Sequence, residues 1–248
     1  MGNTQETGHA KNVTNFDELI SFVVGYGTAY NPSRAAIRLA ALQAIAAGAK
    51  GAIDVVNVVL PEYSNAIAAR EVAFEPLSKL STRVLNALKA SDTSSKVDEN
   101  ATTLVRKIQG KRATSKQTEE EKAAAKAAGT ETKEVSTSHM SYDSRTDSFD
   151  KLIKLLASVP LYAPNEVELQ VPSLTTLYNT LKEKNAEVLA ATIPLSNARI
   201  SRNEILYKEE TGLVDVAFDT KTYIKSLYGA TSPQYKQVSK LEFRALKL

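Results

Sequence analysis

The hydrophobic residues of this chain recur at helical spacing along most of its length. The clearest case is the series Leu174, Leu181, Val188 and Leu195, whose members follow one another at intervals of seven residues. Such a repeat returns to the same helix face every two turns, as in helices that pack side by side. No convincing strand, with alternating apolar and polar residues and a hairpin turn, is found. The pattern therefore predicts an all-α protein.

The helical pattern occurs twice, with the two copies 132 to 133 residues apart. The matched segments are 15–20 with 148–153, 30–33 with 162–165, 60–61 with 193–194, 69–74 with 201–207, and 105–108 with 238–241. Coincidental similarity between helical sequences would drift in register, so this constant separation indicates an internal repeat. The predicted organisation is a disordered N-terminus at 1–14, a first repeat at 15–111, a polar linker at 112–147 and a second repeat at 148–248.

Each repeat predicts four helices. Asn15 and Ser148 are the expected N-caps of the first helix. Pro32 and Pro164 suit the opening of a long second helix, because proline at that position loses no hydrogen bond. The second, third and fourth helices are predicted at 33–74, 77–90 and 95–108 in the first repeat, and at 166–207, 213–228 and 232–243 in the second, with Gly229 ending one helix and Pro233 starting the next.

The long helix of the first repeat is rich in alanine. Only Lys50 and Asp54 are charged between residues 39 and 60, which predicts a buried helix at the centre of the bundle. Pro61 and Pro194 fall inside the two long helices and predict a bend. We expect the two long helices to cover each other's apolar faces. The predicted whole is a single elongated helical bundle of two tandem four-helix units with pseudo-twofold symmetry.

The amino-acid composition narrows the range of functions that this chain could have. Among 248 residues there are 31 basic and 28 acidic side chains, and the net charge of +3 is too small to favour nucleic acid as the main partner. The absence of cysteine excludes disulfides, thiolate metal sites and thiol catalysis. The polar N-terminus has no apolar signal-peptide core, and no eighteen-residue uncharged apolar run is present. We therefore expect a cytoplasmic protein without a membrane span.

Histidines are scarce and dispersed. His9 and His139 lie in segments expected to be exposed, and neither belongs to a metal-binding or catalytic spacing. No phosphate-binding glycine loop and no nucleophile-elbow motif occurs. The sequence thus predicts no catalytic residue, no metal ligand and no cofactor or small-molecule substrate, and the protein is not expected to be an enzyme.

Charged residues late in the long helices are candidate structural contacts. Arg70 with Glu71, and Arg202 with Glu204, are surrounded by apolar neighbours. An ion pair at the surface of the bundle is one interpretation. The other is a polar contact that fixes the register between helices.

A basic cluster at the end of the first repeat is a candidate anion contact. It comprises Arg106, Lys107, Lys111 and Arg112. Clustered cations suffice for phosphate contacts, but three glutamates follow at 119–121 and no aromatic residue is interleaved for base stacking. Nucleic-acid binding is accordingly an unfavoured alternative.

The repeated pattern resembles a family of uncharacterised, duplicated helical-bundle proteins from Bacteroidetes-type bacteria. The segments that carry the resemblance are 30–36, 69–80, 211–215 and 229–238. The resemblance covers most of the chain and implies a bacterial source. The family has no known activity, so the resemblance transfers no site residue.

These observations favour a structural or protein-interaction scaffold that binds protein partners or itself. One alternative is a membrane-active protein similar to α-helical pore-forming toxins, suggested by the weakly charged stretch at 39–60. The other is weak nucleic-acid binding through the basic linker.

Overall fold

A computed structural model describes residues 4–111 and 141–245, and within these ranges every regular element is helical. The α-helices are α1 (Thr4–Gly25), α2 (Leu39–Phe74), α3 (Leu77–Lys89), α4 (Ser95–Gln109), α5 (Tyr142–Ala157), α6 (Val171–Tyr207), α7 (Leu213–Tyr228) and α8 (Pro233–Ser239). Short 3₁₀ turns lie at Gly27–Ala29, Ala35–Ile37 and Val167–Leu169. The prediction of an all-α protein is confirmed for the described residues.

Several predicted helix ends agree with the structure. The helices α2 and α6 end at Phe74 and Tyr207, and both contain the predicted internal proline. Gly229 follows α7 with a φ of 86°, a left-handed conformation that glycine adopts without strain. Pro233 is the first residue of α8, where its missing N–H costs no hydrogen bond. These signals are local, which is why the sequence predicts them well.

The first helix of each repeat starts earlier than predicted. Helix α1 begins at Thr4, so a helix occupies residues 4–14, where the sequence predicts disorder, and α5 begins at Tyr142 instead of Ser148. Asn15 does not cap a helix; its Nδ2 donates to the backbone oxygen of Glu242 at 2.6 Å. Contacts with a segment far along the chain therefore extend α1 beyond its apparent start.

The long helices start later than predicted, because a buried tyrosine holds the chain that precedes each of them. The Tyr30 hydroxyl donates to the Ile37 backbone oxygen at 2.6 Å. The Tyr162 hydroxyl makes the same contact with the Leu169 backbone oxygen at 2.7 Å. This bond fixes the loop and its 3₁₀ turn, so α2 and α6 begin two residues after the accepting carbonyl. The proposed helix starts after Pro32 and Pro164 are thus wrong.

The chain forms two compact units that do not follow the predicted repeat boundaries. Unit 1 comprises Met1–Tyr63 with Ala191–Leu248, and unit 2 comprises Ser64–Ala190. Unit 1 thus takes α1 from the first repeat and α7 and α8 from the second. Unit 2 takes α3 and α4 from the first repeat and α5 from the second. Residues 112–140 of the predicted linker lie outside the described residues.

Each unit has its own hydrophobic core. In unit 1, Phe16 of α1 is fully buried and meets Phe243 edge to face, with ring centroids 6.5 Å apart. The unit 1 core also contains Leu19, Leu42, Leu206, Leu213 and Ile224. The unit 2 core contains Leu77, Leu88, Val105, Ile108, Phe149, Leu152, Leu174 and Leu181. All four members of the seven-residue series at 174–195 are buried, as their spacing indicates.

Alkaline pH should destabilise the protein through its two loop-holding tyrosines. Burial raises the pKa of Tyr30 and of Tyr162 from 10.0 to about 12. Stability is then unaffected below pH 10 and falls between pH 10 and 12, because only the unfolded chain releases these protons there. We expect a loss of about 1–2 kcal/mol per tyrosine at pH 12, after allowance for partial solvent screening.

Urea unfolding of Tyr30→Phe and Tyr162→Phe from pH 8 to 12 tests this. Each variant should be less stable than the parent at pH 8 and should lose less stability on going to pH 12. Tyr63→Phe, whose ring is only half-buried, is the control. Equal alkaline losses in all four proteins would contradict the prediction.

Candidate functional site

Arg70 makes an aromatic contact in place of the expected ion pair. Its guanidinium carbon lies 4.0 Å from the ring centroid of Tyr142, the first residue of α5. The Arg70 Nε is buried and has no hydrogen-bond partner. Glu71 is exposed, and no ion pair within the described ranges includes either residue. Arg70 nevertheless connects α2 to another helix, as a register-fixing contact would.

Arg70 belongs to an arginine–aromatic cluster in unit 2, which we define as Arg70, Phe74, Tyr142 and Arg145. Phe74 and Tyr142 meet edge to face at 4.8 Å between centroids, and the Arg145 guanidinium carbon lies 5.3 Å from the Phe74 centroid. The spacings of four residues on α2 and three on α5 place each pair on one helix face. Arg145 Nε donates to the Ile108 backbone oxygen at 3.1 Å, and burial lowers the pKa of Arg145.

The corresponding arginine of unit 1 has different surroundings. Arg202 is only 4% exposed, and its Nε and one terminal nitrogen donate to the Asn203 side-chain oxygen at 3.2 and 2.9 Å. Glu204, the expected partner, is exposed. One contact of Arg202 is therefore to a neutral amide.

His9 is buried, which contradicts the expectation of an exposed histidine. It is 2% exposed, and its Nδ1 lies 2.6 Å from the Tyr207 hydroxyl. Asn12 Nδ2 donates to the same hydroxyl at 3.3 Å and to the Arg244 backbone oxygen at 2.9 Å. The Arg244 N–H donates back to Asn12 Oδ1 at 3.0 Å. The Tyr207 hydroxyl therefore contacts both His9 and Asn12 of α1.

These polar contacts join α1 to the end of α6 and to the chain after α8, which is a structural role. Within residues 4–111 and 141–245, no group of three histidine, aspartate or glutamate side chains is placed to hold a metal ion. His139 lies outside the described residues. The sequence could not place His9, because its partners are almost 200 residues away.

The basic cluster at the end of α4 has a local explanation. Arg106 and Lys107 lie in the last turn of α4, and Lys111 follows Gly110, which has a φ of 65°. All three cations are exposed at the helix C-terminus, where positive charge offsets the helix dipole. Arg112, the fourth member of the candidate anion contact, lies outside the described residues.

Helix α2 is buried on one side only, so the prediction of a helix buried all round is wrong. Its buried positions in unit 1 are Leu42, Ala46, Ala49, Ala52 and Val56. We define the α2 face as the exposed apolar residues on the other side, namely Ala40, Ala44, Ala47, Gly48, Gly51, Val55 and Val58. Val55 and Val58 are 53% and 72% exposed. Sequence reasoning missed this face, because alanine and valine are as typical of a core as of a contact surface.

The two charged residues near the α2 face, Lys50 and Asp54, do not interrupt it. Lys50 is paired with Asp17 of α1, with Nζ 2.8 Å from the carboxylate oxygen. Asp54 lies at the edge of the face. The buried Leu174, Leu181 and Val188 of α6 repeat the spacing of Leu42, Ala49 and Val56 on α2. The first turns of the exposed side of α6 are polar, with Thr176, Asn179 and Glu183, whereas Leu189, Ile193 and Ile200 are exposed farther along the helix.

By length and composition, one helical stretch among the described residues could cross a membrane. It is Leu39–Lys89, in which an 18-residue window has a mean hydropathy of 1.4 and is 28% buried. The sequence predicts no such stretch, because Lys50 and Asp54 interrupt the apolar run at 39–60.

No family model, no curated protein and no solved structure matches this chain. The resemblance to a Bacteroidetes-type family therefore stays a prediction.

The Asn12 network should stabilise unit 1 measurably. Asn12, which is 1% exposed, makes three hydrogen bonds that Asn12→Ala removes, two of them to the backbone of Arg244. We expect a loss of about 2–3 kcal/mol in unfolding free energy. Asn15→Ala, on the same helix, removes one bond to Glu242 at a partly exposed position and should cost about 0.5 kcal/mol. Urea unfolding measures the loss of unfolding free energy in both variants. Equal losses would show that the Asn12 hydrogen bonds stabilise the unit no more than the single Asn15 bond does.

Proposed function

We propose that this chain is a non-enzymatic structural or protein-interaction scaffold that binds a protein, in the first place a second copy of itself, through the α2 face. The observation that carries the proposal is an exposed apolar helix surface that the fold itself does not require. Scattered apolar residues on a surface are ordinary, whereas a continuous apolar stripe on one helix is typical of an interaction site.

The glycines of the α2 face support this proposal. A Cβ added to Gly48 or Gly51 would meet no atom within 4 Å, so packing inside the chain does not require glycine there. A glycine in the interior of a helix destabilises it by about 0.5–1 kcal/mol relative to alanine. Small residues four apart allow a second helix to approach closely, as in Ala44 with Gly48 and Ala47 with Gly51.

The comparison with α6 supports the proposal independently. The polar residues of α6 at matching exposed positions indicate that this helix pattern accepts threonine, asparagine and glutamate there. The small apolar residues from Ala44 to Gly51 are therefore not a consequence of the buried pattern. Selection for contact with another molecule explains them.

The proposal includes a duplicated architecture. We infer that the two sequence repeats are copies of one helical unit, which is supported by the identical hydrogen bonds of Tyr30 and Tyr162. Equally spaced buried positions on α2 and α6 support it further. Pseudo-twofold packing into one elongated bundle stays a prediction.

Sedimentation velocity across a range of protein concentrations tests self-association through the α2 face. The parent protein should form a dimer, and Val55→Glu/Val58→Glu should stay monomeric, because two carboxylates would lie in the contact. Both valines are exposed, so the monomer should retain its fold. Asn179→Glu/Ala190→Glu places the same charges on exposed positions of α6 and should leave the dimer intact.

Gly51→Ala separates the effect of this glycine on helix stability from its effect on dimer formation. We expect the unfolding free energy to rise by about 0.5–1 kcal/mol, because alanine favours the helix, while the dimer weakens, because the helices can no longer approach as closely. A parent protein that is monomeric at all concentrations, or a dimer unaffected by the valine substitutions, would contradict self-association through this face.

A membrane-active role is the second candidate, and the apolar stretch within Leu39–Lys89 favours it. The same variants distinguish it from protein binding. If the bilayer is the partner, the parent should release dye from phosphatidylcholine–phosphatidylglycerol vesicles at micromolar concentration, and Val55→Glu/Val58→Glu should not. No release by the parent protein would exclude this role and leave protein binding.

A further inference from the structure

We propose that the α2 face packs against the α2 face of a second copy in antiparallel orientation, with Gly51 of both copies at the two-fold axis. The inference rests on the self-association proposed above, to which it adds the direction and the register of the contact. Two properties of unit 1 carry it: the order of small and large side chains along the face, and the charges beside it.

The residues of the α2 face are arranged symmetrically about Gly51, with small side chains before it and larger ones after it. Ala44 and Ala47 lie seven and four residues before Gly51, and Val58 and Val55 lie seven and four residues after it. An antiparallel pair that crosses at Gly51 places each exposed valine at the level of an alanine of the other copy, so the two helices lie equally close along the whole contact. In a parallel pair valine would meet valine, and the helices would diverge toward Val58.

The two edges of the α2 face differ in polarity. The polar edge consists of Gln43, Lys50, Asp54 and Asn57, and the apolar edge of Ala41, Gly48 and Val59. In an antiparallel helix pair each edge lies beside the same edge of the other copy, whereas in a parallel pair it lies beside the opposite edge. Antiparallel packing thus brings polar residues to polar residues, while parallel packing would place Asp54 beside the apolar edge.

The charges on the polar edge are complementary across the two-fold axis. Asp54 takes part in no ion pair within the described ranges. A register centred on Gly51 brings Asp54 of one copy to within about 3 Å, measured along the helix axis, of Lys50 of the other. The Lys50 side chain is 55% exposed beside Asp17, so its ammonium group can contact a second carboxylate. The symmetry forms this contact twice.

Glu62 supplies a second complementary charge at the end of the face. It is exposed, it lies eleven residues after Gly51, and it takes part in no ion pair within the described ranges. The antiparallel register places it beside Ala40 of the other copy, in the first turn of α2. That turn contains no acidic residue of its own, and the exposed Arg38 directly precedes it. A carboxylate from the other copy therefore meets both the positive end of the helix dipole and a cation.

Disulfide trapping tests the direction and the register, because the chain contains no cysteine. Ala44→Cys and Val58→Cys are oxidised with copper phenanthroline, each alone and as an equimolar mixture. In the antiparallel pair the two Ala44 positions lie about 21 Å apart along the helix axis, which no disulfide can span, whereas Ala44 and Val58 lie at the same level. We expect about tenfold more covalent dimer in the mixture than in either variant alone.

The matched control is a mixture of Thr176→Cys and Ala190→Cys, which have the same spacing at exposed positions of α6 and should form no more covalent dimer together than apart. Covalent dimers in each single variant but not in excess in the mixture would show a parallel pair, which overturns the antiparallel register and keeps self-association. No covalent dimer in any arm would overturn the register as well. Sedimentation then shows whether self-association itself has failed.

Asp54→Lys tests the charge contact separately. Sedimentation equilibrium should show a dimer weakened about tenfold or more, because a lysine then faces Lys50 of the other copy twice. Glu71→Lys makes the same change of charge at an exposed position of α2 outside the face, and it should leave the dimer unchanged. An Asp54→Lys dimer as stable as that of the parent protein would contradict the antiparallel register.

Discussion

The constraint on which the fold depends is that neither predicted repeat encloses its own hydrophobic core. The apolar side of α1 is covered by α7 and by the chain after α8, while α4 is covered by α3 and by α5. Phe16 and Phe149, which match in the predicted repeat, are both fully buried, and each belongs to a core that includes helices from both predicted repeats. The distance in sequence between these partners explains why local signals miss the early start of α1, whereas the late starts of α2 and α6 follow from the hydrogen bonds of Tyr30 and Tyr162.

The same constraint determines what remains exposed. In unit 1 the helices that cover α2 all lie on the side of Leu42, Ala49 and Val56. The opposite side of α2 has no covering element within the described residues, and from Ala44 to Gly51 it is less polar than the matching positions of α6. The proposed interaction surface is therefore the side of the apolar helix α2 that the core of unit 1 leaves uncovered.

The features that the sequence predicts correctly depend on residues that lie close together in the chain. Seven-residue spacing identifies the buried leucines of α6, and glycine and proline mark the end of α7 and the start of α8. The burial of His9 and the early start of α1 depend on Tyr207 and Arg244, which no local pattern can associate with residues 4–14. Arg70 is identifiable as an unusual charge among apolar residues, but its stacking on Tyr142 requires the pairing of α2 with α5. The α2 face cannot be predicted from the sequence, because composition does not reveal which side of an alanine-rich helix is covered by other helices.

Residue-resolved hydrogen exchange of Phe16→Leu tests the shared cores most directly. This substitution should loosen the unit 1 core without unfolding the chain, since it trades one buried apolar side chain for a smaller one. If each core combines both repeats, amide protection should fall in α7 and α8, more than 190 residues away, and should be retained in α3 and α4 of the same repeat. Protection lost in α3 and α4 while α7 and α8 remain protected would contradict the account.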